Sequence, residues 1–381
     1  MACVLLVMPD AFHLGWMGAT RRLFHFADAF RELGFNVVLL AGKMTNAQLQ
    51  AKIDRQFPGL VLRTHHTGAY PCLLDIAPLP RRAWRAFWKA RGSEYYAARL
   101  SYGWASVLNV GQVIKEVEQR GFRPDLIWGI SAGYLEGGVA ADRLAKALGV
   151  PWIFELRDPP RGCGLGPDRA TIYKEFTRLL RSAAQVVVTT ESYRNKLLKD
   201  FALIPEAIRT IHLTYEGGLI EGASCHHSGR WRLVYTGSLQ GGRSLAPLLH
   251  GLGEALVREP RMHGSISMEI AGTGSGLDET RKLSERLGVK ESVRFYGYVD
   301  REQAEELHRQ ANVLIVVQTV DTSKLQVPGK IFEYMRMSRP ILAIMPECEA
   351  ADILRRSGLG LIHHPEDIDG IADTLIKLWS D

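Results

Sequence analysis

The sequence predicts an α/β fold of two doubly wound, Rossmann-like parallel sheets in tandem, and three observations carry that prediction. Apolar runs of strand length alternate with segments of helical period along nearly the whole chain, which is how parallel strands joined by crossover helices read. The length, 381 residues, exceeds what one core covers, since cores stop growing at roughly 250–300 residues. Between two such series lies Glu-Gly-Gly-Leu-Ile-Glu-Gly-Ala-Ser-Cys-His-His-Ser-Gly at 216–229, rich in Gly and Ser and without period, as interdomain connections are. The expected parts are an N-terminal domain over 1–215, a linker over 216–229, a second domain over 230–365 and a closing helix over 366–381, with a central cleft beside the linker.

In chain order, the first series reads as strands at 2–8 (Ala-Cys-Val-Leu-Leu-Val-Met), 36–41, 60–64, 125–130, 151–155, 185–190 and 208–213. The second reads as strands at 231–236, 265–271, 292–296, 312–317, 340–344 and 359–362, with helices such as Asp278 to Leu287 and Glu302 to Gln310 between them. These runs are continuously apolar rather than alternating, as strands buried on both faces are. The last segment, Asp367 to Trp379, opens on acids and places Ile368, Ile371, Leu375 and Leu378 on one face. It is expected to be an amphipathic helix with a favourable N-terminal charge.

Composition narrows the function classes. A 46% hydrophobic share with 23% charged residues is that of a folded globular enzyme and not of a disordered chain. No apolar run reaches the ~18 residues that span a bilayer, and the N-terminus lacks the basic start of a signal peptide. The five cysteines (Cys3, Cys72, Cys163, Cys225, Cys348) are scattered and never form a Cys-x-x-Cys pair, so neither a disulfide framework nor a zinc site is indicated and a reducing cytoplasm is expected. Within the net +6, residues 81–99 hold six Lys or Arg against one Glu, interleaved with Trp84, Phe87, Trp88, Tyr95 and Tyr96. That segment reads as a domain helix with a wet basic face, or as a surface that meets an anionic membrane. No nucleic-acid motif accompanies the charge, and no nucleic-acid partner is expected.

The residues that carry chemistry gather at strand ends, where open α/β sheets bind ligands. Leu-Val-Tyr-Thr-Gly-Ser-Leu at 233–239 leads into Gln240-Gly241-Gly242-Arg243; Gly237 permits close backbone approach, and Arg243 reaches an anion held there. Ala-Gly-Thr-Gly-Ser-Gly at 271–276 brings Gly272 and Gly274 to the next strand end, either as part of the same pocket or as a plain tight turn. Val-Pro-Gly-Lys-Ile-Phe-Glu-Tyr-Met at 327–335 is a helix start, with Pro328 and Gly329 in the first turn, exposed N–H groups behind them and Lys330 within reach of the same anion. Glu333, one turn further in, suits a carboxylate that accepts two ribose hydroxyls.

These pieces, with Arg-Phe-Tyr-Gly-Tyr-Val-Asp at 294–300, resemble the donor half of a retaining glycosyltransferase of family 4, of the bacterial surface-polysaccharide type. The resemblance implies the GT-B fold, a UDP- or GDP-sugar donor, a saccharide or lipid-linked acceptor and no metal or other cofactor. It assigns Arg243 and Lys330 to the departing diphosphate, and Tyr298 and Val299 to the base through their backbone groups. In the first domain, Gly15 and Gly18 resemble the glycine pair that members place against the donor phosphate and the acceptor. Phe-Glu-Leu-Arg-Asp-Pro at 154–159 is similar to a Phe-Arg-Asp-Pro-Trp turn of some bacterial members; Arg157 and Asp158 would there position the acceptor hydroxyl or donor sugar, or merely staple a loop. The last helix of the GT-B fold crosses back to the first domain, and the resemblance implies that Asp367 to Trp379 could do so. A cytoplasmic enzyme at the inner face of the membrane is the implied setting.

Two departures stand out. Leu325 occupies the position where many members carry the first Glu of a Glu-x7-Glu pair ending at Glu333, and Ser238 stands where many carry an Arg, which leaves more of the phosphate charge to Arg243. They leave room for a nucleotide-sugar-binding partner or sensor without turnover. A sugar-nucleotide epimerase of the same fold would need an acid and a base flanking the sugar ring, and no carboxylate pair stands out. Asp367-Ile368-Asp369 matches an Asp-x-Asp metal motif of a different fold, but at a helix start acids cap the dipole. The paired histidines at 65 and 66, 226 and 227, and 363 and 364 lack a ligand spacing.

Overall fold

The computed structural model describes residues 2–8, 18–42, 61–64, 110–133, 135–160, 169–215, 217–220 and 229–380. The chain divides into two compact units, Met1–His212 and Leu213–Asp381. The first carries β1 (Cys3–Met8), α1 (Gly18–Glu32), β2 (Asn36–Gly42), β3 (Val61–Thr64), α2 (Val110–Gln119), β4 (Leu126–Ala132), α3 (Glu136–Leu148), β5 (Trp152–Asp158), α4 (Arg169–Ser182), β6 (Gln185–Val188), α5 (Glu191–Phe201) and β7 (Ile208–Thr210). Its strands form one parallel sheet in the order β3-β2-β1-β4-β5-β6-β7.

The second unit carries β8 (Trp231–Thr236), α6 (Ala246–Arg258), β9 (Ile266–Ala271), α7 (Gly276–Arg286), β10 (Val293–Gly297), α8 (Arg301–Gln310), β11 (Val313–Val317), α9 (Val320–Ser323), α10 (Lys330–Arg336), β12 (Ile341–Ile344), α11 (Glu349–Ser357), β13 (Gly360–His363) and α12 (Ile368–Ser380). Its parallel sheet runs β10-β9-β8-β11-β12-β13. In both sheets the order reverses once, between β1 and β4 and between β8 and β11, and the loops at such a reversal part to leave a crevice at the carboxyl ends of the strands.

Period-two alternation along each strand feeds a core on either face. On β8, Leu233 and Tyr235 point into one core with α6 and α12, while Val234 points into the other with α8, α10 and α11. Every one of these side chains is fully buried. The first unit holds a buried ion pair between Arg22 of α1 and Glu155 of β5, with the Trp128 indole N–H donating to the second Glu155 oxygen at 2.8 Å. Arg22 also donates to the carbonyls of Ile211 (2.8 Å) and His212 (2.9 Å), which ties the exit of this unit to its centre.

Two boundary expectations change. The units meet at His212–Leu213, ahead of the expected 215, and the described part of the expected linker belongs to the second unit. There the Ile220 N–H donates to the Arg336 carbonyl at 2.8 Å, and the Arg336 guanidinium donates to the Gly218 carbonyl at 2.8 Å. The closing helix, which the GT-B resemblance allows to pack back on the first domain, places its apolar face in the second unit. Ile371, Ala372 and Leu375 of α12 are buried against α6, where Gly251 permits the approach because a Cβ there would lie 2.4 Å from Ile371. Arg258 of α6 bonds Asp373 at 3.0 Å and Asp369, and the Trp379 indole donates to Ser265 at 3.1 Å. Asp367 caps this helix by accepting the Gly370 N–H at 3.0 Å, and its other oxygen holds His363 at 2.7 Å. Of the Asp-x-Asp sequence, Asp367 thus caps the helix and Asp369 pairs with Arg258.

Candidate functional site

The site is built on the turn that follows β8, at the strand-order reversal of the second unit. Thr236 ends the strand and Gly237 turns away with φ +139°, a value that favours glycine. A Cβ at Gly237 would lie 2.6 Å from the Lys330 ammonium, so the missing side chain is what lets the lysine through. Lys330 Nζ donates to the Thr236 carbonyl at 2.8 Å and lies 4.3 Å from the centre of the Tyr235 ring, a cation–π distance. Arg243 returns to the same turn and donates to the Ser238 carbonyl at 3.4 Å. That carbonyl also accepts the Tyr235 hydroxyl at 3.3 Å.

The two cations repel each other, and the repulsion registers on the weaker one. Lys330 is pulled down to about 7, first by burial and then by the Arg243 guanidinium, with Glu333 opposing. A lysine held this way gains its full charge only when an anion arrives beside it. Tyr235 and Tyr334 are both pushed up by burial, Tyr334 to about 12, so neither phenol supplies negative charge at neutral pH.

The loop after β9 braces the loop after β8. Gly237 donates to the Ala271 carbonyl at 2.9 Å, Leu239 to the Thr273 carbonyl at 2.8 Å, and Gly276 to the Leu239 carbonyl at 3.1 Å. At Gly272 φ is +152° and a Cβ would meet the Gly237 carbonyl oxygen at 1.8 Å; at Gly274 it would meet the Leu239 oxygen at 2.5 Å. These glycines therefore serve contact between two loops, beyond a plain turn. Gly272 also donates to the Gly297 carbonyl at 2.7 Å, which joins the loop of β10 to the set. Beyond it, Tyr298 is 80% exposed, while Val299 packs partly on the core around α10.

The helix start needs a correction. Gly329 is the cap of α10 and Pro328 precedes it, and two of the expected exposed donors are engaged: the Ile331 N–H bonds the Pro328 carbonyl at 3.0 Å and the Phe332 N–H bonds the Gly329 carbonyl at 3.2 Å. A tight first turn satisfies groups that a helix start otherwise leaves open. Positive potential here comes from the Lys330 side chain more than from the backbone. Glu333 is half-buried on this helix. Ser238 Oγ is buried with no hydrogen-bond partner among the described residues.

In the first unit, Arg157 and Asp158 stand at the carboxyl end of β5, half-buried, with the Arg157 carbonyl accepting the Thr189 hydroxyl at 2.9 Å. Gly18 opens α1; Gly15 and the basic segment 81–99 lie outside the described residues. Sequence reasoning missed a buried polar group beneath Lys330, made of Thr236, His308 and Tyr334. His308 Nε2 lies 2.8 Å from Thr236 Oγ1, and its ring meets the Tyr334 ring edge-on at 4.9 Å. The available signal was one histidine inside the Ala304–Leu307–Ala311 stripe of an otherwise charged helix.

Comparison with known proteins decides the family. The description "Glycosyl transferase 4-like domain" matches residues 17–214 and "Glycosyl transferases group 1" matches residues 230–381. The chain belongs to the glycosyltransferases. Among curated relatives, a D-inositol 3-phosphate glycosyltransferase from Streptomyces scabiei is 25% identical over 272 residues, 66% of this chain and 59% of that protein. Another from Streptomyces bingchenggensis is 24% identical over 196 residues, 47% of this chain and 43% of that protein. The chain thus spans about half the length of the curated relatives it matches. Solved structures share the fold: a glycosyltransferase from Rickettsia africae at TM-score 0.63 and 12% identity, covering 100% of this chain and 88% of that one, and TarM at TM-score 0.67 and 11% identity, covering 99% and 92%. This glycosyltransferase therefore has the GT-B architecture, two Rossmann-like parallel-sheet domains. Among its described residues, no helix is long and apolar enough to cross a membrane.

Proposed function

We propose that this glycosyltransferase moves a sugar from a UDP- or GDP-sugar to a saccharide or lipid-linked acceptor, with retention at the anomeric carbon and without a metal. The observation that carries the reading is the convergence of Lys330 and Arg243 on the Thr236–Ser238 turn, at the strand-order reversal. A diphosphate leaving group develops charge as the bond from the sugar breaks, and two fixed cations meet that charge with little reorganisation. Glu333 takes the ribose hydroxyls and the Tyr298–Val299 backbone takes the base. A TarM variant from S. aureus crystallised with UDP and alpha-GlcNAc-glycerol is a GT-B protein with ligands of these classes.

The bond from the anomeric carbon to the diphosphate oxygen breaks first, and its electron pair stays on the phosphate. The acceptor oxygen then bonds to the oxocarbenium-like carbon from the same face and passes its proton to the departing phosphate oxygen. Arg157 and Asp158 are the residues we assign to placing the acceptor. Work on a lipid-linked acceptor would occur at the inner face of the cell membrane, with segment 81–99 as the contact.

Ser238 and Leu325 favour a second reading, a nucleotide-sugar-binding partner without turnover. The test is incubation with UDP- and GDP-sugars and a panel of acceptors, following released diphosphate and the anomeric configuration of the product. Transfer with retention, insensitive to EDTA, is expected. Tight binding without transfer supports the second reading, and inversion or EDTA-sensitive transfer contradicts the mechanism.

A further inference from the structure

We propose that His308 and Tyr334, acting through Thr236, are positioning residues that fix the Lys330 ammonium at the β8 turn; that a diphosphate-bearing nucleotide is received there rests on the function proposed above. Four hydrogen bonds converge on Thr236. Its carbonyl accepts Lys330 at 2.8 Å, its N–H donates to the Tyr334 hydroxyl at 3.3 Å, and its own hydroxyl meets Tyr334 at 3.1 Å and His308 Nε2 at 2.8 Å. One arrangement uses the Thr236 and Tyr334 protons: Tyr334 accepts from the Thr236 N–H and donates to Thr236 Oγ1, which in turn donates to His308 Nε2. It requires a neutral imidazole. Burial, with Lys330 adding to it and Glu305 opposing, pulls His308 down to about 4, so the ring is neutral at physiological pH, as this arrangement needs.

Several groups of the second unit face the lysine. Arg243 faces it from the loop after β8, the Tyr235 ring from β8 itself, Glu333 and Tyr334 from its own helix, and His308 from α8. Thr236 carries both sets of contacts, its carbonyl to the ammonium and its N–H and hydroxyl to the buried pair. Losing the buried end frees the carbonyl, admits water to the ammonium and moves the Lys330 titration up toward that of an ordinary lysine.

The test follows the Lys330 side chain by NMR in the full chain labelled at lysine Cε, with the signal assigned by Lys330→Arg. Wild type is expected to titrate near 7. Thr236→Val and His308→Phe are expected to raise the midpoint by a unit or more, while Thr236→Ser and His308→Gln, which keep the hydroxyl and an acceptor, stay near wild type. Unchanged midpoints in folded Thr236→Val and His308→Phe would overturn the proposal. Calorimetry with UDP and GDP, run below the wild-type Lys330 midpoint so that the ammonium is charged in every variant, separates it from the functional reading: the Val and Phe variants, which no longer fix the ammonium, should weaken binding, while Ser and Gln restore it. Failure of both nucleotides to bind wild type, with the titrations as expected, would remove the nucleotide reading and leave the positioning role standing.

Discussion

Arg243 and Glu333 both face Lys330, and the proposed reaction would use them at different moments. In the proposed reaction Arg243 would meet charge that grows as the donor bond breaks, so Arg243→Ala is expected to lower turnover by roughly 10² or more. In the proposed reaction Glu333 would hold ribose hydroxyls that do not change during transfer, and Glu333→Ala should raise KM while leaving kcat nearly intact. Steady-state kinetics of the two variants with one donor checks both, and equal losses in kcat would contradict the division. Gly272 shows a constraint of another kind. Its φ of +152° and the 1.8 Å approach of a Cβ to the Gly237 oxygen leave no room for a methyl group. Gly272→Ala is expected to cost ~3 kcal/mol or more, measured by urea unfolding; a change within error would show that the two loops part easily.

At the level of elements, α8, β8 and α10 are joined by the buried polar group of His308, Thr236 and Tyr334, and that group makes stability depend on pH. An unfolded histidine titrates near 6.5, whereas His308 is held down to about 4. Between these values only the unfolded chain takes up the proton, so stability falls as pH drops from about 6.5 toward 4 and is level above. The loss from this residue alone between pH 7 and pH 5 is about 2 kcal/mol. His308→Gln removes that part of the slope, and identical slopes in wild type and variant would show that the imidazole is not held neutral. The closing helix carries a related lesson. Its apolar stripe was legible in Ile371 and Leu375, but which partner it covers was not, because the period of a helix describes its own face and says nothing of the face it meets. Gly251 on α6, whose missing side chain admits Ile371, gives the answer only once both helices are in place.

Across the molecule, the strands were the most legible feature. Runs such as Val-Leu-Ile-Val-Val at 313–317 are apolar on both faces because helices cover both sides of a parallel sheet, and such runs announce themselves by composition alone. The two cations of the β8 turn were legible as well, since Arg243 follows a glycine turn at a strand end and Lys330 follows Pro-Gly at a helix start. What stayed hidden was long-range polar pairing: Thr236 to His308 spans 72 residues, and no local pattern reports a partner that distant. Likewise the first turn of α10 showed its donors by position but not that Ile331 and Phe332 use theirs on Pro328 and Gly329.

The central claim is that one turn of the second domain gathers two cations around a diphosphate. A crystal structure of the chain with UDP or GDP bound tests it most directly, through the distances from the phosphate oxygens to Lys330 Nζ and to the Arg243 guanidinium. Both are expected within hydrogen-bonding distance, roughly 2.7–3.2 Å, with the phosphates over Gly237. A nucleotide bound elsewhere, or phosphates that touch neither side chain, would contradict the account.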